Sequence, residues 1–162
     1  DPDEKEYLGS AQPKFNLGFS TNATWKWFDL SVAAYGMFGQ KILNATNMQL
    51  FTDTRMPNKN IPDKFAKQGI KPDKITYSDY WIEDGSFLRL QSITLGFTIP
   101  GTKKWGLETL RVYGTIDNVC TITGYSGLDP EISTSGLDNP GIDLCNVYPR
   151  TRSFIFGVNV SF

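Results

Sequence analysis

The 162 residues predict an all-β fold: an antiparallel transmembrane β-barrel segment with long loops at one end and tight turns at the other. Three observations predict it. Five stretches of about ten residues alternate apolar with small or polar side chains, the period at which successive side chains of a strand point to opposite faces. The connections between them alternate strictly between short and long. The chain closes on Arg152–Phe162, in which Phe154, Phe156, Val158, Val160 and Phe162 share one parity while Ser153, Ile155, Gly157, Asn159 and Ser161 take the other. A last strand ending on an aromatic suits the interfacial girdle of an outer-membrane barrel.

The first strand is expected over residues 15–23, with Phe15, Leu17, Phe19 and Ala23 on one face together with Thr21. A tight turn near Asn22–Trp25 leads into the second, 27–38, where Phe28, Leu30, Val32, Ala34, Gly36 and Phe38 oppose Asp29, Ser31, Ala33, Tyr35 and Met37. The third, 87–99, breaks phase: Leu88 and Leu90 are even, but Ile93, Leu95, Phe97 and Ile99 are odd. One extra residue near Gln91 and Ser92 restores a single face, so a β-bulge is predicted there. The alternative is that Leu88 and Leu90 lie above the membrane against other protein. Residues 100–106 turn into the fourth strand, 109–118, where Leu110, Val112, Gly114 and Ile116 oppose Arg111, Tyr113, Thr115 and Asp117. The fifth is 152–162.

No charge falls on the apolar parity of strands one, two, four and five. Connections 40–84 and 119–150 are the long ones and are expected outside the cell. The short turns, with Trp25, Trp27 and Trp105, would join Phe162 at the periplasmic interface, where amphipathic rings prefer to sit. The competing architecture is a secreted carbohydrate-binding β-sandwich, whose apolar face would point into its own interior. Five strands do not close a barrel, and an open edge in lipid leaves unpaired backbone groups. The barrel reading therefore makes this chain the C-terminal part of a larger protein, or a nicked or split piece of one. The sequence opens DPDEKEYLGS, without a leader-like stretch.

Composition narrows function. There is no histidine, the commonest general base and metal ligand, and two cysteines are too few for a zinc site. No nucleophile elbow, Walker loop or dinucleotide fingerprint occurs. Catalysis is not expected, and neither is a cofactor. A net charge of −1 offers no basic field for nucleic acid.

Several segments carry a resemblance. YWIEDGSFLRLQSITLGFTIP (80–100), LRVYGTIDNVCTITGYSGLDPEI (110–132), GID (141–143), YPRTRSF (148–154) and the closing GVNVSF resemble the signatures of SusC/RagA-type TonB-linked outer-membrane transporters. PKFNLGFSTNATWKWFDLSVAAYGMFG (13–39) resembles the preceding strand pair of that family. The resemblance implies a 22-stranded barrel with an N-terminal plug, of which this chain would supply the last five strands. It implies a SusD-type surface lipoprotein acting as lid, TonB pulling on the plug, and oligosaccharides or peptides as cargo. Phe156, Val158, Val160 and Phe162 resemble the assembly signal of such barrels, or else simply face the lipid bilayer.

Asp29, Tyr35, Arg111, Tyr113 and Asp117 are the lumen-facing candidates, available to cargo or plug, or serving only as a wet wall. Arg89 joins them if the bulge is where it is predicted. Asp129, Glu131, Asp138 and Asp143 are oxygen ligands of the kind calcium takes, but their spacing matches no EF-hand and Asp-Pro is ordinary turn chemistry. Contact with the lipoprotein is the better reading of loop 119–150. Cys120 and Cys145 bracket that loop, either as a disulfide staple or as two free thiols. Asn22-Ala-Thr and Asn44-Ala-Thr match glycosylation sequons, which a bacterial source would void.

Overall fold

Alternation builds the strands where it was read. In the computed structural model, which describes residues 6–51, 62–63, 67, 77–132, 140–143 and 148–162, β1 is Phe15–Trp25 and β2 Phe28–Phe38. Short strands β3 (Lys41–Leu43) and β4 (Ile82–Asp84) flank a six-residue helix α1 (Ala45–Leu50). Then come β5 (Phe87–Thr98), β6 (Thr109–Thr123) and β7 (Ser153–Ser161). The chain divides into two compact units: residues 16–37, 87–123 and 150–162, and residues 1–15, 38–86 and 124–149.

The first unit is one open sheet in the order β1-β2-β5-β6-β7. Pairs β2–β5, β5–β6 and β6–β7 are antiparallel, and the two-residue β1–β2 connection permits only an antiparallel hairpin. Register puts Phe28 opposite Phe97, Leu30 opposite Leu95 and Val32 opposite Ile93. The same row continues through Phe97–Val112 and Val112–Val158. The apolar residues of the strands thus gather on one face of the sheet.

The bulge lies at Gln91. Ala33 pairs with Ser92 but Ala34 with Leu90, so Gln91 is the extra residue against β2. β6 answers with an extra residue of its own, since Ser92 pairs with Asp117 but Leu90 with Cys120. There Asn118 adopts φ 53°, a left-handed conformation that asparagine tolerates better than most side chains. Its amide donates to Thr151 O at 3.2 Å, and Arg152 donates to Val119 O at 2.5 Å, tying the start of β7 to the bulge. With both offsets in place, Leu88 and Leu90 return to the apolar face beside Ile122 and Cys120.

That face decides between barrel and sandwich. Leu30 is 38% exposed, Val158 60% and Phe156 83%. Within this unit no second sheet covers them, as the competing sandwich would require. A face this apolar and this open is matched to a non-aqueous neighbour.

Two boundaries differ from the sequence reading. The first turn is Lys26–Trp27, not Asn22–Trp25, and β1 runs on to Trp25. Asn22 stays in the strand, where its Oδ1 accepts from Ser31 Oγ at 2.5 Å. Lys26 supplies the positive φ, 55°, that a two-residue hairpin turn demands. β6 extends five residues past Asn118, to Thr123, because the bulge absorbs the irregularity without ending the pairing.

The second unit has its own small core. β3 pairs antiparallel with β4, and Leu43 also bridges Ile142. Ala45, Met48 and Trp81 are buried together, with Leu43, Leu50, Phe51 and Ile142 packed around them. Ile42, Tyr125 and Ile132 form a second buried cluster. Connections 40–84 and 119–150, expected to be plain loops, therefore contain ordered structure.

Candidate functional site

The polar face of the sheet carries every lumen-facing candidate. Asp29, Tyr35, Arg111, Tyr113 and Asp117 all lie on it, with Arg89, Thr94 and Thr115, as the register requires. Near the short-turn end, Arg111 spans β5 to reach Asp29 on β2. Its Nε donates to Oδ1 at 2.8 Å and its Nη2 to Oδ2 at 2.5 Å. The span is open because Gly96 lies between them: a Cβ there would meet both the Asp29 carboxylate and the Arg111 guanidinium. Tyr113, on the same face, has the Arg111 guanidinium 4.9 Å from its ring centroid. It lies over Gly157, where a Cβ would collide with the ring. Glycine opposite a large polar residue is thus a repeated device on this face: Gly96 opposite Tyr113 and Asp29, and Gly157 opposite Tyr113.

At the long-loop end the face closes around Arg89, 2% exposed. Its Nε donates to Thr121 Oγ1 at 2.9 Å and its Nη1 reaches Tyr35 Oη at 3.4 Å. Its guanidinium lies 5.3 Å from the Phe87 ring centroid and 5.9 Å from that of Tyr35, while Phe87 and Tyr35 meet edge-on at 5.8 Å. A planar cation held between rings favours arginine over lysine. Between these two clusters Thr94 and Thr115 share a 2.8 Å hydrogen bond across β5 and β6.

The loop unit holds a polar network that sequence reading missed. Asn44 is fully buried. It caps α1, its Oδ1 accepting from Asn47 N at 2.9 Å. Its Nδ2 donates to Glu83 Oε1 at 2.8 Å and to Ser126 Oγ at 3.2 Å. Glu83 also accepts from the Ser126 amide and hydroxyl, both at 2.8 Å. One buried asparagine thereby pins β4 and the 124–132 segment to α1. The signal was local: asparagine before an Ala-Thr-Asn-Met run is a helix N-cap pattern. The same burial removes Asn44 as a glycosylation site, while Asn22 is exposed.

The carboxylates considered for calcium have other work. Tyr125 Oη donates to Asp143 Oδ2 at 2.6 Å. Burial first, then the Asp143 bond, pushes the Tyr125 phenol well above its ordinary range. Asp129 accepts from the Glu131 amide at 2.9 Å, an Asx turn. Asp138 lies outside the described residues. Among the described residues no three His, Cys, Asp or Glu side chains converge. Cys120 is a free, exposed thiol, and Cys145, its candidate disulfide partner, lies outside the described residues. In the last strand Phe156, Val158 and Phe162 stand open on the apolar face, and Val160 is 44% exposed beside them.

No family model matches the chain. Curated relatives do. "TonB-dependent receptor P3" of Formosa agariphila is 27% identical over 98% of this chain and 17% of its own length. "TonB-dependent receptor SusC" of Bacteroides thetaiotaomicron is 30% identical over 90% of this chain and 15% of its own. The chain thus spans about a sixth of the relatives it matches. Among solved structures, the RagAB peptide importer in its closed-closed state superposes with a TM-score of 0.73, at 24% identity over 95% of this chain and 18% of that one. The open-open state gives 0.66 at 25% identity, over 93% and 17%. The relatives cover nearly the whole chain, and the RagAB fold carries the same sheet. Over nearly its whole length the chain is similar to a β-barrel segment of the SusC/RagA-type TonB-dependent receptors.

Proposed function

We propose that this chain is wall and external loop of an importer in the bacterial outer membrane, and that the whole receptor moves nutrients without catalysing a reaction. The observation that carries the proposal is the inversion of the sheet. Its apolar side chains are open on one face while Asp29, Arg111 and Arg89 interact on the other, which suits acyl chains on one side and a water-filled or plugged lumen on the other. The SusC and RagAB likenesses support the same reading.

In this assignment Asp29, Tyr35, Arg89, Arg111, Tyr113 and Asp117 face the lumen. Mutual pairing of Asp29 with Arg111 neutralises those two charges on that wall. The cargo is an oligosaccharide or a peptide. A SusD-type surface lipoprotein serves as lid over the loops, and TonB acts through a plug supplied by the rest of the receptor. Phe156, Val158, Val160 and Phe162 act in assembly: β7 presents an edge that closes against the barrel's remaining strands. Phe162→Ala in the full receptor lowers the heat-modifiable folded fraction; unchanged assembly rejects that role.

Spin labels test the assignment of faces. In the full receptor in bilayers, labels at Leu95 and Phe156 should be relaxed by oxygen, which partitions into acyl chains. Labels at Thr94 and Thr115 should respond to a water-soluble nickel chelate or be shielded from both. Preferential nickel access at Leu95 and Phe156 would refute it. Uptake of a labelled oligosaccharide or oligopeptide should vanish in cells lacking TonB, and whichever is taken up fixes the cargo class.

A further inference from the structure

The short-turn end of the sheet carries a cluster that neither wall nor import requires. Turn Lys26–Trp27 and turn 99–108 are neighbours, because β2 and β5 are adjacent and Thr98 N donates to Trp27 O at 2.7 Å. On these two turns Trp25, Trp27 and Trp105 are 68%, 51% and 69% exposed. Lys103 and Lys104 stand exposed on the single 3₁₀ turn Thr102–Trp105, held between Gly101 and Gly106, both with left-handed φ. Lys26 lies 5.1 Å from the Trp25 ring centroid.

None of the three ammonium groups has a carboxylate partner among the described residues, although Glu108 is close in sequence. Elsewhere on this unit a cation is engaged: Arg111 by Asp29, Arg89 by Thr121 and two rings. Three cations without a carboxylate partner, beside three exposed indoles, therefore form a distinct patch. It sits where the apolar band ends, past the last aromatic rung, Phe28 against Phe97 at 4.8 Å.

We propose that this patch binds the headgroups of anionic phospholipids in the inner leaflet of the outer membrane. The inference rests on the barrel reading above, which puts the short turns at the periplasmic interface. Charge complementarity selects the occupant: the ammonium groups meet the phosphodiester, the indoles lie at the glycerol level, and the apolar face below takes the acyl chains. Zwitterionic headgroups satisfy the indoles equally but leave the excess positive charge unmatched. The expected discrimination follows from charge number. Each lysine near an anionic surface contributes roughly fivefold in affinity, on the order of a hundredfold for three.

The test uses the full-length receptor, delipidated in detergent, with phosphatidylglycerol and phosphatidylcholine offered in equal amounts and bound lipid counted by native mass spectrometry. Wild type should retain phosphatidylglycerol preferentially. The K26Q/K103Q/K104Q triple variant should lose that preference by at least tenfold, while K41Q/K67Q, which removes lysines from the other unit, should keep it. Heat-modifiable folding reports separately that each variant is assembled. No preference in wild type, or an undiminished preference in the triple variant, overturns the proposal; either is also the outcome if an acidic protein occupies the patch. A receptor that stays dispersed without detergent instead overturns the barrel reading beneath it.

Discussion

Replacing Phe156 by arginine separates a lipid-facing sheet from a water-facing one. Phe156 is on the apolar face of β7, opposite Gly114, and 83% exposed. Six residues separate it from Phe162 at the rim. At a rise of about 3.3 Å per residue and a strand tilt of about 40°, that is roughly 15 Å along the membrane normal, close to the midplane of a core about 30 Å thick. An arginine on a barrel's lipid face costs about 2–4 kcal/mol at the midplane and about 0–1 near the interface. Val160, only two residues from the rim, is about 5 Å deep by the same geometry. Phe156→Arg should therefore destabilise by about 2–4 kcal/mol, Val158→Arg by less, and Val160→Arg by under about 1. The assay is denaturant unfolding of the full receptor in phospholipid vesicles, followed by the mobility difference between folded and unfolded bands. In water an exposed Phe→Arg change is close to neutral. A flat profile across 156, 158 and 160, or a neutral Phe156→Arg, would refute the assignment of this face to lipid.

Three further outcomes are expected. Gly96→Ala should cost about 1–3 kcal/mol by forcing Arg111 off Asp29. The cost should shrink in an Asp29→Ala/Arg111→Ala background, and a cycle showing no coupling in melting temperature would contradict the geometry. Asn44→Ala removes the α1 cap and leaves Glu83 and Ser126 short of a buried donor, at about 1–3 kcal/mol; hydrogen exchange of the 41–50 and 82–84 amides should accelerate, and unchanged protection there would count against the network. For Tyr125, burial raises the folded phenol above the ordinary 10.0. A raised folded value gives stability that is complete below the unfolded value and drains away as pH climbs from there toward the folded one. The loop unit should thus loosen above about pH 10, monitored by tyrosinate absorbance, and Tyr125→Phe should abolish that dependence; a variant that loosens at the same pH would rule Tyr125 out as its source.

How much of this was legible depended on where each residue's partners lie. The five long strands follow from parity, because their partners lie along a regular register. The Gln91 bulge was legible for the same reason: two leucines of even number and four apolar residues of odd number share one face only if a residue is spare. The β1–β2 turn was misplaced because Lys26-Trp27 carries none of the glycine or asparagine that usually marks a two-residue hairpin. The β3, α1 and β4 elements escaped notice because their partners are remote. Asn44 meets Glu83 and Ser126, 39 and 82 residues away, and segments of three and six residues are too short for a period to show. The lumen-facing set was readable as a face, but not as pairs, since the reach of Arg111 to Asp29 depends on the glycine between them.

The paired irregularities at Gln91 and Asn118 make this stretch intolerant of changes in length. Loss of the single codon for Gln91 would make β5 regular against β2, with Leu88 and Leu90 still on the apolar face, but would leave β6 with two spare residues against β5 instead of one. A second deletion in the neighbouring strand, at Asn118 or Val119, would return the offset between β5 and β6 to one residue. Inherited length variation in such receptors should therefore collect in the connections, with these strands changing by substitution alone.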